Sequence, residues 1–308
     1  MPLPTRHIFH QGPVIASLGG TALAALRQHF GQGPSAPIST PSPEIRATLP
    51  PRPKQLIRDY VRHVGGDPSA YRKTVPAHLF PQWGFALAAQ TLVGIPYPMA
   101  RVLNGGCRLE IRSPIPQGEP LEVVAQLRDI DDNGRRAVLH QTVVTGTASA
   151  PDALTAHLYA IVPLSSKGKS SGTAKPKRAK KPPVLVPAGA TELAFWKLSA
   201  DAGLAFAMLT GDFNPVHWVR PYARMFGFRS TILHGFSTMA RAIEGLSRGA
   251  FAGSTRKLSS IDVKFTRPLV LPAKVGLYIH ESDAGKQVFV GDCAGGPAYL
   301  VGTYTLDG

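Results

Sequence analysis

Apolar positions recur along this chain at two spacings, one helical and one alternating, and the order of the two repeats. In residues 54–63, Leu56, Ile57, Tyr60 and Val61 fall on one helical face, and Gly65-Gly66-Asp67-Pro68 ends that helix. Residues 79–92 (LFPQWGFALAAQTL) are apolar on nearly every face, which predicts a buried helix. Four runs rich in β-branched and apolar residues follow at 101–111, 121–130, 136–147 and 154–164. Turn signals separate them at Pro116-Gln117-Gly118, Asp132-Asn133-Gly134 and Pro151-Asp152.

The second half runs in the same order. Residues 193–209 are apolar and predict one helix, 232–246 predict a second, and strands are expected at 258–266, 273–282, 287–294 and 298–306. The repeat is also visible in residues. An alternating strand that closes on Pro114 and leads through a turn into Leu121 is echoed by one that closes on Pro268. Segregation of helices from strands within each half predicts an α+β class, with a sheet curled round a central helix among the options.

Between the repeats, residues 165–183 (SSKGKSSGTAKPKRAKKPP) carry seven Lys and Arg and no acid. They account for seven of the net charge of +15 and leave +8 (15 − 7) elsewhere, a surplus suited to a phosphate-bearing substrate. Without interleaved aromatics the run reads as a solvated tether, with no nucleic-acid partner. Gly168-Lys169-Ser170 lacks the upstream glycine and strand–helix context of a phosphate loop. The expected organisation is an N-terminal extension and extended connector at 1–53, a first domain at 54–164, the basic linker at 165–186 and a second domain at 187–308. Residues 1–43 contain no acid; an apolar stretch at 16–30 predicts a docking helix, and a transit peptide is the alternative. Cys107 and Cys293 have no CxxC spacing and read as reduced core residues of a cytoplasmic protein. No apolar run has the length of a membrane span.

The candidate chemistry sits between the second pair of helices, at Thr210-Gly211-Asp212-Phe213-Asn214-Pro215-Val216-His217, followed by Ala223, Gly227-Phe228 and His234-Gly235. Gly-Asp and Asn-Pro are turn chemistry, so the segment predicts an irregular loop. It carries a carboxylate and an imidazole, groups able to move the protons of a water. Singly, each residue has an ordinary structural reading; jointly they resemble the hydratase motif of the MaoC-like family of (R)-specific enoyl-CoA hydratases and 3-hydroxyacyl thioester dehydratases.

The resemblance covers residues 190–308 in motif and the first half in architecture. It implies a double hot-dog fold with one catalytic and one degenerate half, since Gly66-Asp67-Pro68-Ser69-Ala70-Tyr71 lacks the Asn and the His. Carried over, it implies that Asp212 and His217 share a catalytic water and that the Gly235 N–H stabilises the thioester oxyanion. Gly211 and Asn214 would support the site, Asn214 by bracing the loop or the carboxylate, and His234 would be structural. Arg220, Arg224, Arg229, Lys264 and Arg267 are candidates to meet the phosphates of coenzyme A or a phosphopantetheine arm. No metal or redox cofactor is implied, and the partner is an acyl-CoA or acyl carrier protein substrate, with a homodimer compatible. The chain departs from the family in placing Trp218-Val219-Arg220 where an acid commonly follows the histidine. A non-catalytic acyl-thioester-binding subunit and a hot-dog thioesterase are the alternatives.

Overall fold

Two short strands that sequence periodicity does not reveal close the ends of a sheet spanning both halves. In the computed structural model, which describes residues 3–12, 39–98, 102–164, 182–283 and 285–307, the first half contributes β1 (Ile45–Leu49), β2 (Thr74–Val75), β3 (Leu103–Ile111), β4 (Ile115–Pro116), β5 (Leu121–Asp132), β6 (Arg136–Gly146) and β7 (Leu154–Pro163). The second contributes β8 (Thr191–Leu198), β9 (Leu258–Phe265), β10 (Ala273–Ser282), β11 (Gly285–Gly291) and β12 (Ala298–Leu306). Ten of these form one antiparallel sheet in the order β1-β5-β6-β7-β3-β9-β12-β11-β10-β8, while β2 and β4 pair separately.

The two halves join where β3 pairs with β9, and the join is two-fold symmetric. Pro114 and Pro268 are 154 residues apart, and so are Arg108 and Asp262, which lie opposite each other in the register. Around that pair, Cys107 faces Val263 and Leu109 faces Ile261, so each residue meets the repeat-mate of its second neighbour.

Among the described residues there are five α-helices: α1 (Lys54–His63), α2 (Pro81–Gln90), α3 (Ala202–Thr210), α4 (Arg220–Met225) and α5 (Gly235–Gly249). The face expected of α1 is the one it buries. Helix α2 is buried on almost every side; Trp83 Nε1 donates to Thr145 Oγ1 at 3.0 Å, satisfying the polar end of an otherwise enclosed indole. The central helices α2 and α5 meet through aromatic side chains, with Phe236 4.9 Å from the Phe85 ring and 5.6 Å from Phe80. Two sheets continuous through β3–β9, each wrapped on a central helix, make the double hot-dog architecture expected.

Three expectations are corrected. The single helix expected at 193–209 is strand β8, then a break at Ser199-Ala200-Asp201, then α3. Apolar content hid the alternation of an edge strand that exposes about half of Phe195. The extended connector expected within 1–53 contains β1, which pairs with β5 at the opposite edge. Cys293 is exposed rather than buried, while Cys107 is a core residue, and both are free. The helix expected at 16–30 and nearly all of the basic linker lie outside the described residues. The described N-terminal residues dock on the helices: Arg6 and His7 bond the buried Asp59 of α1, and Gln11 Nε2 donates to the Met208 carbonyl of α3 at 3.2 Å. Among the described residues no helix is long and apolar enough to cross a membrane.

Candidate active site

Helix α3 stops at Gly211, whose φ of +84° suits a residue without Cβ and turns the chain out of the helix. The loop that follows is held by its own side chains. Asp212 Oδ1 accepts from the Asn214 N–H at 3.4 Å, and Asn214 Oδ1 accepts from the Val216 N–H at 3.3 Å, capping a 3-10 turn over Pro215–His217. Trp218, where the family pattern places an acid soon after the histidine, donates its indole N–H to the Phe213 carbonyl at 3.1 Å and clasps the loop from outside.

Behind the loop, Thr231–Leu233 does not continue α5 as the apolar pattern suggested. It is pinned by Leu233 N–H to the Leu269 carbonyl and Leu271 N–H to the Thr231 carbonyl, both at 2.8 Å. This leaves the Ile232 carbonyl to accept from His217 Nδ1 at 2.9 Å. Because a carbonyl only accepts, Nδ1 carries the hydrogen and Nε2 keeps its lone pair. One glycine unnoticed in the sequence permits this placement. A Cβ on Gly203 of α3 would lie 2.1 Å from the His217 carbonyl oxygen.

Asp212, His217 and His234 each place a side-chain donor or acceptor atom within 4.8 Å of the others. His234, the residue before α5, donates Nε2–H to the Asp212 carbonyl at 2.9 Å and lies 3.8 Å from its carboxylate. The His217 and His234 rings stack with centroids 3.6 Å apart and planes 26° apart. Both imidazoles are neutral near pH 7. Burial holds His217 below its usual range against the opposing pull of Asp212, and burial followed by the neighbouring His217 takes His234 to about 3.

These three side chains are also the natural candidates for a metal centre. Each histidine commits one ring nitrogen to a backbone carbonyl, leaving His217 Nε2 and His234 Nδ1. Nitrogen lone pairs lie in their ring planes, so two nearly parallel stacked rings do not aim them at one point. The arrangement fits a bound water better than an ion.

The first turn of α5 closes the site. Gly235 opens the helix, and among the described residues its N–H has no hydrogen-bond partner, as expected of a helix N-terminus. Its missing Cβ matters to the protein's own packing, because a Cβ there would lie 2.9 Å from three carbons of the Phe265 ring. Further along and beneath are polar groups that sequence reasoning missed. Ser237 Oγ, Arg241 Nε, His63 Nε2 and His234 Nδ1 are buried with no partner among the described residues. Burial takes Arg241 down to about 10; burial, then Arg241 and His234, takes His63 to about 3.

The five basic candidates are all exposed. Arg220 and Arg224 lie on α4 beside the loop. The Arg267 guanidinium sits 5.7 Å over the Tyr299 ring, and Arg229 also acts electrostatically on that tyrosine. Lys264 lies on β9 opposite Val301 and Gly106, in the seam between the halves.

Residues 180–292 match the family model described as the MaoC like domain. Over 133 residues the chain is 32% identical to 3-hydroxyacyl-thioester dehydratase X of Mycobacterium tuberculosis, covering 43% of this chain and 44% of that protein. The chain therefore aligns with less than half the length of that relative. Among solved structures, a MaoC-like dehydratase from Phytophthora capsici superposes with a TM-score of 0.66 at 19% identity, covering 87% of this chain and 97% of its own. A conserved hypothetical protein of Mycobacterium tuberculosis described as having a double hot-dog fold superposes with a TM-score of 0.54 at 15% identity, covering 87% of this chain and 96% of its own.

Proposed function

We propose that the chain, whose residues 180–292 match the MaoC like domain model, adds water to trans-2-enoyl thioesters to give (3R)-hydroxyacyl thioesters, or runs the reverse dehydration. The observation that carries the reading is the pairing of the Asp212 carboxylate with a His217 whose Nδ1–H is fixed on the Ile232 carbonyl. In this reading one water lies between the two groups, which have ligand atoms within 4.8 Å of each other. It donates one hydrogen to His217 Nε2, which orients it, and gives the other to Asp212 as its oxygen bonds the β-carbon. The negative charge that develops on the thioester oxygen is met by the Gly235 N–H at the positive end of α5. Asp212 then returns its proton to the α-carbon, so H and OH are both delivered and the carboxylate is regenerated.

Gly211 and Asn214 shape the loop, and the exposed Arg220, Arg224, Lys264 and Arg267 meet the phosphates of coenzyme A or of an acyl carrier protein's phosphopantetheine. The reaction as written uses no metal or redox cofactor. Two free cysteines agree with a reducing, cytoplasmic setting.

Loss of enoyl-thioester absorbance with crotonyl-CoA and with longer enoyl-CoAs tests the reading directly. Asp212→Asn is expected to lower turnover at least ~100-fold in a folded protein. Unchanged turnover in that variant, or silence of the wild type across short, long and aromatic enoyl thioesters, would favour a non-catalytic thioester-binding subunit.

A further inference from the structure

The two-fold relation through Arg108 and Asp262 gives the proposed thioester site a mate in the first half, and a cavity occupies that place. His78 precedes Leu79-Phe80 as His234 precedes Gly235-Phe236, and the chain after β3 corresponds to the chain after β9. A cavity of about 250 Å³ is lined there by Tyr71, His78, the segment from Ile111 to Ile115, and Ile243, Thr255 and Arg256.

Three features take this mate out of catalysis. The Leu79 N–H, counterpart of the Gly235 N–H, donates to the Pro76 carbonyl at 3.0 Å and is not available to an oxyanion. Asp67 bonds the backbone N–H and hydroxyl of Ser69 at 2.8 and 2.7 Å, so its carboxylate is engaged in its own turn. A tyrosine, Tyr71, stands beside His78, its hydroxyl 3.4 Å from Nε2.

What the mate retains is a polar inner wall and a basic mouth. His78 Nε2 lies 2.9 Å from Glu244 Oε1 of α5, and both side chains are almost wholly enclosed. Tyr60 donates its O–H to the His78 carbonyl at 2.7 Å, so its oxygen accepts from His78 Nδ1–H at 3.1 Å. Glu244 is thereby held by an imidazole that Tyr60 fixes from its other side. Val75, Ile111, Ile243 and Leu258 line the cavity with hydrocarbon. At the exposed rim, Arg112 and Arg256 have no ion-pair partner among the described residues, and Asp307 is the opposing carboxylate.

We propose that this cavity is a second ligand site, separate from the thioester site, that takes a small carboxylate with a short hydrocarbon tail. The tail lies against the aliphatic wall and the carboxylate meets Arg112 and Arg256. Its volume falls below the roughly 300–1,000 Å³ of sites for drug-sized ligands, which restricts the occupant to short acids. The charge at the mouth and the hydrocarbon of Val75, Ile111, Ile243 and Leu258 together disfavour both a free inorganic anion and an uncharged alcohol.

Calorimetric titration of the full-length protein with hexanoate, 1-hexanol and inorganic phosphate tests this. Wild type and Asp212→Asn are expected to bind hexanoate equally, since the site does not use the proposed base. The double variant Arg112→Ala/Arg256→Ala, altered only at exposed positions, is expected to lose at least ~10-fold in affinity, in keeping with charge-assisted pairing. Hexanol and phosphate are expected to bind at least ~10-fold more weakly than hexanoate. Absence of hexanoate binding to the wild type overturns the proposal, as does equal affinity in the arginine double variant. Phosphate binding as tightly as hexanoate would reduce the cavity to a general anion patch. Affinity lost in Asp212→Asn but kept in the double variant would place the acid in the thioester site instead.

Discussion

His234 holds the Asp212 backbone carbonyl through Nε2 at 2.9 Å, while its ring stacks on His217 at 3.6 Å. One enclosed imidazole therefore contacts both members of the proposed water-activating pair. His234→Phe keeps a flat ring for the stack and removes the hydrogen bond. Turnover is expected to fall by about 100-fold, the scale of an ångström-level misplacement of a reacting group, with little change in the Michaelis constant. Steady-state kinetics on enoyl-CoA substrates checks this; a purely raised Michaelis constant would assign His234 to binding.

Gly203 makes the same point from the other side of the loop. An Ala there drives a Cβ into the His217 carbonyl, and since that contact is with backbone, the loop must move. Gly203→Ala is expected to lower turnover by about 100-fold and stability by about 1–3 kcal/mol, read from kinetics and from urea unfolding of the same preparation.

The first-half turn gives a control. Asp67 is solvent-exposed and bonds only its own turn, and the neighbouring Leu79 N–H is occupied. Asp67→Asn is expected to leave turnover within about two-fold of wild type, the behaviour of a surface position away from special features. A large loss would move part of the chemistry into the first half.

Acid should act on stability through His63 and His234. Each is held at about 3 in the folded protein, chiefly by burial, against about 6.5 when unfolded. Below pH 6.5 the unfolded chain takes up protons that the folded chain refuses. Their contribution is thus fully present above pH 6.5 and is lost progressively as pH falls towards 3, by about 1.4 kcal/mol per unit for each group. Chemical unfolding at pH 7, 6, 5 and 4 measures the slope, and His63→Gln is expected to shallow it by one proton. The depressed pKa of His217 likewise predicts that any acid limb of activity due to this residue lies below pH 6.5.

How much of this was legible in the sequence depended on the range of the forces involved. The face of α1, the buried α2 and the eight inner strands follow from side-chain periodicity, a property of neighbours in the chain. The edge strands β1 and β8 did not announce themselves. Each has one hydrogen-bonded neighbour in the sheet; β1 lies in a connector-like stretch, and β8 runs on into the apolar stretch of α3. The loop of Asp212, Asn214 and His217 was readable because its turn chemistry is local. The Ile232 carbonyl, the Gly203 approach and the His78–Glu244 contact were not, because each joins elements that only the folded topology brings together. His78 and Glu244 are separated by 166 positions.

The symmetric seam at Arg108 and Asp262 also bears on how such a gene could be arranged. The halves are held by the hydrogen bonds of β3 to β9 and by the rings of Phe80, Phe85 and Phe236, none of which depends on the peptide chain running from β7 to β8. Two shorter polypeptides, one ending after Pro163 and the other starting before Thr191, would carry every strand of that seam between them. Co-expressed, they should assemble as a one-to-one pair with the hydrodynamic size of the intact protein. The covalent join would then act as a guarantee of equal dosage and of correct partnering, allowing the two halves to diverge from each other.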